Sequence, residues 1–172
     1  MIIFDLINRG RELKAHYTDF GVLPREILFE RFANPYWLSI HSITGSVIGQ
    51  AILFIIAGIF AFALLLGYKT RIATIVSWFF LISLQSRNPF VLQGGDILFR
   101  VILFWAMFLP LGSYFSIDSL AKKKDKKEKV VFSFGTFGIL IQIAMLYTFS
   151  ALLKTGKQWT SEGTAIYYAL SI

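Results

Sequence analysis

Hydrophobic and polar positions along this chain fall into long blocks, not the short alternations of a soluble helix or strand. From Phe32 to Tyr68 the only side chain that titrates near neutrality is His41, and Val130 to Leu153 carries no charge at all. Each run exceeds the roughly 20 residues a helix needs to cross a ~30 Å hydrocarbon core. Between them lie two shorter apolar blocks. They are bounded by "GYKTR" (67–71), by "SRNPFVLQGGD" (86–96) with its Asn-Pro and Gly-Gly turn signals, and by the basic run "AKKKDKKEK" (121–129). The pattern predicts spans at about 46–66, 72–86, 96–113 and 130–153.

Residues 1–31 are polar and mixed in charge. Pro24 stands near a helix start, and Ile27, Leu28 and Phe32 are spaced for one helix face. Tyr36 and Trp37 suit an interfacial aromatic belt, so this stretch reads as a short helix lying at the membrane surface. The fold expected is all-α: one polytopic membrane helix bundle over residues 1–172, with about four full transmembrane helices plus an interfacial N-terminal helix. Gly45, Gly49 and Gly58 are expected to let a neighbouring helix approach the first span closely, and Gln50 and Gln142 to hydrogen-bond between helices.

Composition agrees. The chain has 172 residues, 56% hydrophobic and 16% charged, with a mean hydropathy of +0.64. A soluble domain of this length leaves too much surface in water to hide that apolar content. The net charge of +7 sits beside the spans, where lysine and arginine orient and anchor, and does not point to nucleic acid. Cysteine is absent, which excludes disulfides and thiolate metal sites, and His16 and His41 form no metal-binding spacing. "MIIFDLINRG" offers about six apolar residues broken by Asp5, short of a signal-peptide core, and reads as the tail of a longer apolar segment. No internal repeat supports an inverted-repeat transporter.

Basic residues counted by side give equal totals. The six lysines packed into 121–129 break the tie and place that loop in the cytoplasm. Residues 5–40, 86–96 and 154–172 then face outside together. At that outer level lie the residues able to carry chemistry. Asp96 and Arg100, four apart on one helix face, are expected to pair; they form either a structural ion pair or, with Gly94 and Gly95, the edge of a polar pocket. Lys154 ends the last span. It is either a snorkelling anchor or, if drawn out of water beside Trp159, a base.

"LKAHYTDFGVLPRE" (13–26), "LGYKTRIATI" (66–75), "SRNPFVLQGGDILFRVILFWAMFLPLGSYFSIDS" (86–119) and "LLKTGKQWTSEGTAIYYALS" (152–171) together resemble, in order, the HTTM membrane domain shared by vitamin K-dependent gamma-carboxylases and many bacterial proteins. The resemblance implies further membrane helices, with this chain beginning inside the first span and stopping just after the fifth. In the carboxylases a lysine just before a tryptophan is the proposed base that deprotonates a reduced quinone; Lys154 before Trp159 falls on it. The carboxylases also place a histidine in the outer loop where this chain reads Gln93-Gly94-Gly95-Asp96, and they carry a soluble domain for the glutamate substrate. The resemblance thus implies either a quinone-dependent lysine-base enzyme or a non-enzymatic membrane partner, of the kind that acts in maturation of secreted peptide toxins. A location in the bacterial inner membrane follows from the same resemblance.

Overall fold

The computed structural model describes residues 1–32, 39–113, 116–121 and 133–171. The expected belt residues Tyr36 and Trp37, and nearly all of the basic run 121–129, lie outside the described residues. All regular structure among the described residues is helical: α1 (Ile2–Arg11), α2 (Leu13–Tyr17), α3 (Arg25–Arg31), α4 (Val47–Leu66), α5 (Thr70–Arg87), α6 (Gly94–Ala106), α7 (Ile117–Ala121), α8 (Phe134–Leu152), α9 (Lys157–Thr160) and α10 (Ala165–Leu170).

Local chemistry sets the ends of the long helices. Ser46 caps α4 by accepting the Gly49 N–H at 3.0 Å, and Gly67 ends it in the left-handed region (φ 69°). No Cβ fits at Gly67, because Ser116 packs directly against it. Helix α5 then starts across a tight corner with Lys69 at φ 43°. Asp118 holds that corner from α7, accepting the backbone N–H of Lys69 at 2.8 Å and of Thr70 at 2.7 Å. Ser133 caps α8 by accepting the Thr136 N–H at 3.3 Å.

Helices α4 and α5 form the central hairpin, with α6 on the other side of α5, α1 against α4, and α8 against α6. The hairpin seam is built from small side chains, Ala57 and Ala61 on α4 with Ala73, Thr74 and Ser77 on α5, all buried. Small residues let backbones approach where lipid supplies no hydrophobic drive to associate. The expected glycines do not make this seam. None of the described residues comes within 4 Å of where a Gly58 Cβ would be; Gly45 instead makes room for the Asp19 carboxylate, and Gly49 for the capping side chains Thr44 and Ser46. The close helix approach on glycine falls on α8, where Gly135 and Gly138 seat against Trp105 of α6 and Phe108 just beyond its end.

The outer surfaces are inverted relative to a soluble protein. Helix α4 exposes Ile48, Ile52, Ile55, Ile59, Phe62 and Leu65, and most of α8 is exposed although it is apolar. Helices with fully satisfied backbones and apolar exteriors are what a bilayer accepts. Among the described residues, two helices, α4 and α8, are long and apolar enough to cross a membrane. Helix α5 has 18 residues but buries polar side chains on more than one side, Thr74, Ser77 and Gln85 on one and Ser83 and Arg87 on another. Helix α6 is shorter than the expected 96–113 span. It stops at Ala106, ahead of Leu109-Pro110 and the 3-10 turn Leu111–Ser113, because proline lacks the donor and clashes with a continuing helix. At 13 residues it rises only about 20 Å. The surface helix in the N-terminal region is α3, seven residues long; it buries Leu28 while Ile27, Phe29 and Phe32 stay exposed.

Candidate functional site

The start of α4, the end of α5 and the start of α6 meet the N-terminal helices in a layer of polar residues. Asp96 lies in the first turn of α6. Its Oδ2 accepts the Gln93 N–H at 2.9 Å, fixing the helix start, and its Oδ1 accepts a hydrogen bond from Arg9 Nη2 at 2.8 Å. Arg9 also donates to Asp5 Oδ1 at 2.8 Å and to Tyr17 Oη at 3.1 Å, and Gln85 Nε2 reaches the Asp96 carbonyl at 3.1 Å. Asp96 therefore pairs with Arg9 across 87 residues of sequence and not with Arg100. The expected pairing fails because the bundle offers Asp96 the guanidinium of Arg9, whose side chain is only 9% exposed, so the attraction is little screened by water. The i,i+4 pair realised near this layer is Asp5–Arg9 on α1.

Two further clusters share this end. Asp19 bonds Arg25 at 2.7 Å and lies 3.5 Å from the fully buried Arg87, whose Nη1 donates to the Leu23 carbonyl at 2.9 Å. The Arg25 hydrogen bonds hold the Asp19 carboxyl below its ordinary value against the opposing effect of burial, and the charges of Arg25 and Arg87 help. His41, also fully buried, places Nδ1 at 2.8 Å from Ser83 Oγ, with its ring edge-on to Phe54 and Phe80. Burial, and next the nearby Arg87 charge, push His41 down to about 4. Gln50 donates to the carbonyls of His41 and Thr44 at 2.6 Å, so it ties down the chain leading into α4 and not a neighbouring span.

The remaining expected site residues stand apart from this layer. Gly94 and Gly95 are exposed at the α6 start, with open space where a Cβ would sit, while Asp96 turns toward the bundle. Arg100 lines a groove with Trp78, Ile82, Val101 and Phe104. Lys154 follows α8, where its N–H bonds the Ala151 carbonyl at 3.2 Å; Gly156 then turns the chain into α9. That turn brings Trp159 back, and the Lys154 ammonium lies over its ring, 4.2 Å from the centroid. Both side chains are exposed, Trp159 by 46%. Lys154 and Trp159 thus meet, but neither is joined to Asp96 or Arg100 by a hydrogen bond or ion pair among the described residues.

No group of three or more His, Cys, Asp or Glu able to hold a metal occurs among the described residues. Sequence reasoning missed Arg9, Tyr17, Ser83 and Arg87. The available signal was depth: Ser83, Gln85 and Arg87 recur at every second position over the last turns of α5, level with the mixed-charge N-terminal segment.

Comparison with known proteins gives matches in one direction. The HTTM domain model matches residues 26–171. The uncharacterized protein YitO of Bacillus subtilis is 30% identical over 107 residues, covering 60% of this chain and 34% of that protein. Sporulation-delaying protein SdpB of the same organism is 27% identical over 138 residues, covering 76% of this chain and 40% of that protein. The chain spans roughly two fifths or less of the length of these relatives. No solved structure matches. With the family model covering nearly all of α3 to α10, this chain belongs to the HTTM domain family.

Proposed function

We propose that this chain is the membrane-embedded part of a multi-pass protein of the bacterial inner (cytoplasmic) membrane that works as a non-enzymatic partner of a secreted peptide, meeting it at Lys154 and Trp159. The orientation proposed puts 121–129 in the cytoplasm and 154–172 outside. The observation that carries the reading is the exposed Lys154–Trp159 stack, 4.2 Å from ammonium to ring centroid. A cation laid on an indole at a membrane surface presents charge, donors and an aromatic face together, which suits a peptide segment. A general base needs the opposite setting, a lysine drawn out of water. The broader match across this chain is to a protein named for delaying sporulation. The test is co-purification from native membranes: a short secreted peptide accompanies the unchanged protein and is lost from Lys154→Ala and Trp159→Ala, whereas equal recovery from all three would overturn the proposal.

A second reading keeps the quinone-dependent lysine base. The same juxtaposition favours it, because a lysine shortly before a tryptophan is what the carboxylase resemblance implies. Oxygen uptake driven by a reduced quinone, present in the unchanged protein and abolished by Lys154→Ala, would replace the partner reading with this one.

A further inference from the structure

The groove between α5 and α6 holds a charge that the bundle leaves unused. Trp78 and Ile82 form one wall, and Arg100, Val101 and Phe104 the other. The Trp78 and Phe104 rings lie 5.6 Å apart, and the Trp78 indole N–H donates to the Arg100 carbonyl at 3.1 Å, which locks the two walls in register. Arg100 is half-buried, and no carboxylate comes within ion-pair distance of its guanidinium among the described residues. The buried arginines Arg9 and Arg87, in contrast, each have a carboxylate and a further acceptor.

An unpaired cation between apolar helix faces is costly unless an anion comes to it. Arg100 lies six residues into α6, about 9 Å along the axis from Gly94. Helix geometry tilts its Cβ back toward the Asp96 end, so the long stem reaches toward the level of lipid headgroups. A planar fork of donors fits phosphate oxygens, and aromatic and branched aliphatic walls fit an acyl chain. A zwitterionic headgroup would bring a second cation beside Arg100, so the charge selects a net-anionic one.

We propose that this groove is a binding site for an anionic phospholipid, with the phosphate on Arg100 and an acyl chain along Ile82, Val101 and Phe104. Native mass spectrometry of the protein in detergent, titrated with phosphatidylglycerol or with phosphatidylcholine of the same chains, reads it directly. The unchanged protein is expected to retain phosphatidylglycerol at about tenfold lower lipid concentration. Arg100→Gln removes that preference, and Arg100→Lys keeps part of it. Ile82→Trp fills the groove, leaves the charge in place and also loses phosphatidylglycerol, so it decides the matter if Arg100→Gln does not fold. Equal retention of the two lipids by the unchanged protein, undiminished retention by Ile82→Trp, or displacement of phosphatidylglycerol by millimolar inorganic phosphate would overturn the site.

Discussion

Arg9 Nη2 and Asp96 Oδ1 stand 2.8 Å apart, joining the N-terminal helix to the start of α6 through side chains that are 9% and 16% exposed. Removing one partner of a buried pair leaves the other charge uncompensated and typically costs about 3–5 kcal/mol. Arg9 keeps Asp5 and Tyr17 when Asp96 is lost, so Asp96→Ala is expected to cost about 2–3 kcal/mol. Arg9→Gln strands Asp96 beside Asp5 and should cost at least as much. Thermal unfolding in detergent, with the double variant completing a cycle, measures the coupling; strictly additive losses would show that the pair holds nothing together.

His41 makes the fold sensitive to mild acid. Its folded value is about 4 against 6.5 for a free histidine, so between these values the unfolded chain binds more protons than the native one. Stability from the neutral buried ring is complete above pH 6.5 and lost as pH falls toward 4, by on the order of 3 kcal/mol. Asp19 adds to the loss at lower pH, since its depressed carboxyl protonates there. Replacing His41 with Gln should flatten the slope between pH 6.5 and 4, and an unchanged slope would contradict this account of the ring.

The glycines divide into two groups that one substitution separates. Gly138→Ala drives a methyl into the Trp105 ring, and Gly67→Ala meets both Ser116 and a left-handed backbone, so each is expected to cost about 1–3 kcal/mol. Gly58→Ala has open space and should be neutral or stabilising by up to about 1 kcal/mol. Melting temperatures of the three variants, measured in one detergent, decide it.

This chain carries no cysteine, so single introduced cysteines report its orientation against the unsubstituted protein. Lys157→Cys should react with a membrane-impermeant maleimide on intact cells, and Lys126→Cys only after permeabilisation. The reverse pattern would invert the proposed topology and remove Lys154 from the outer face.

Much of this architecture was legible in the sequence, for physical reasons. Apolar runs longer than a bilayer is thick have few fates, so α4 and α8 came out close to their observed bounds. Turn chemistry marked Gly67 and the Asn88-Pro89 corner, where Asn88 Oδ1 caps Phe90 N–H at 3.1 Å. Interhelical partners were not legible. An i,i+4 rule sees Asp96 and Arg100 on one helix, but the competing partner, Arg9, is set by how α1 docks on α4. The glycine expectation failed for the same reason: a small residue permits close approach without saying which helix arrives, and at Gly58 none of the described residues does. The contact of Lys154 with Trp159, by comparison, needs no partner helix: a short turn at Gly156 links the two, so local geometry alone brings them together.

The central claim is that Lys154 and Trp159 form the surface that meets a secreted peptide. The most direct measurement places a photo-crosslinking amino acid at position 159 of the protein in its own membranes and identifies the captured species by mass spectrometry. The account predicts a short secreted peptide, captured less when Lys154 is also replaced by alanine. Capture of lipid or quinone alone, unchanged by Lys154→Ala, would contradict it.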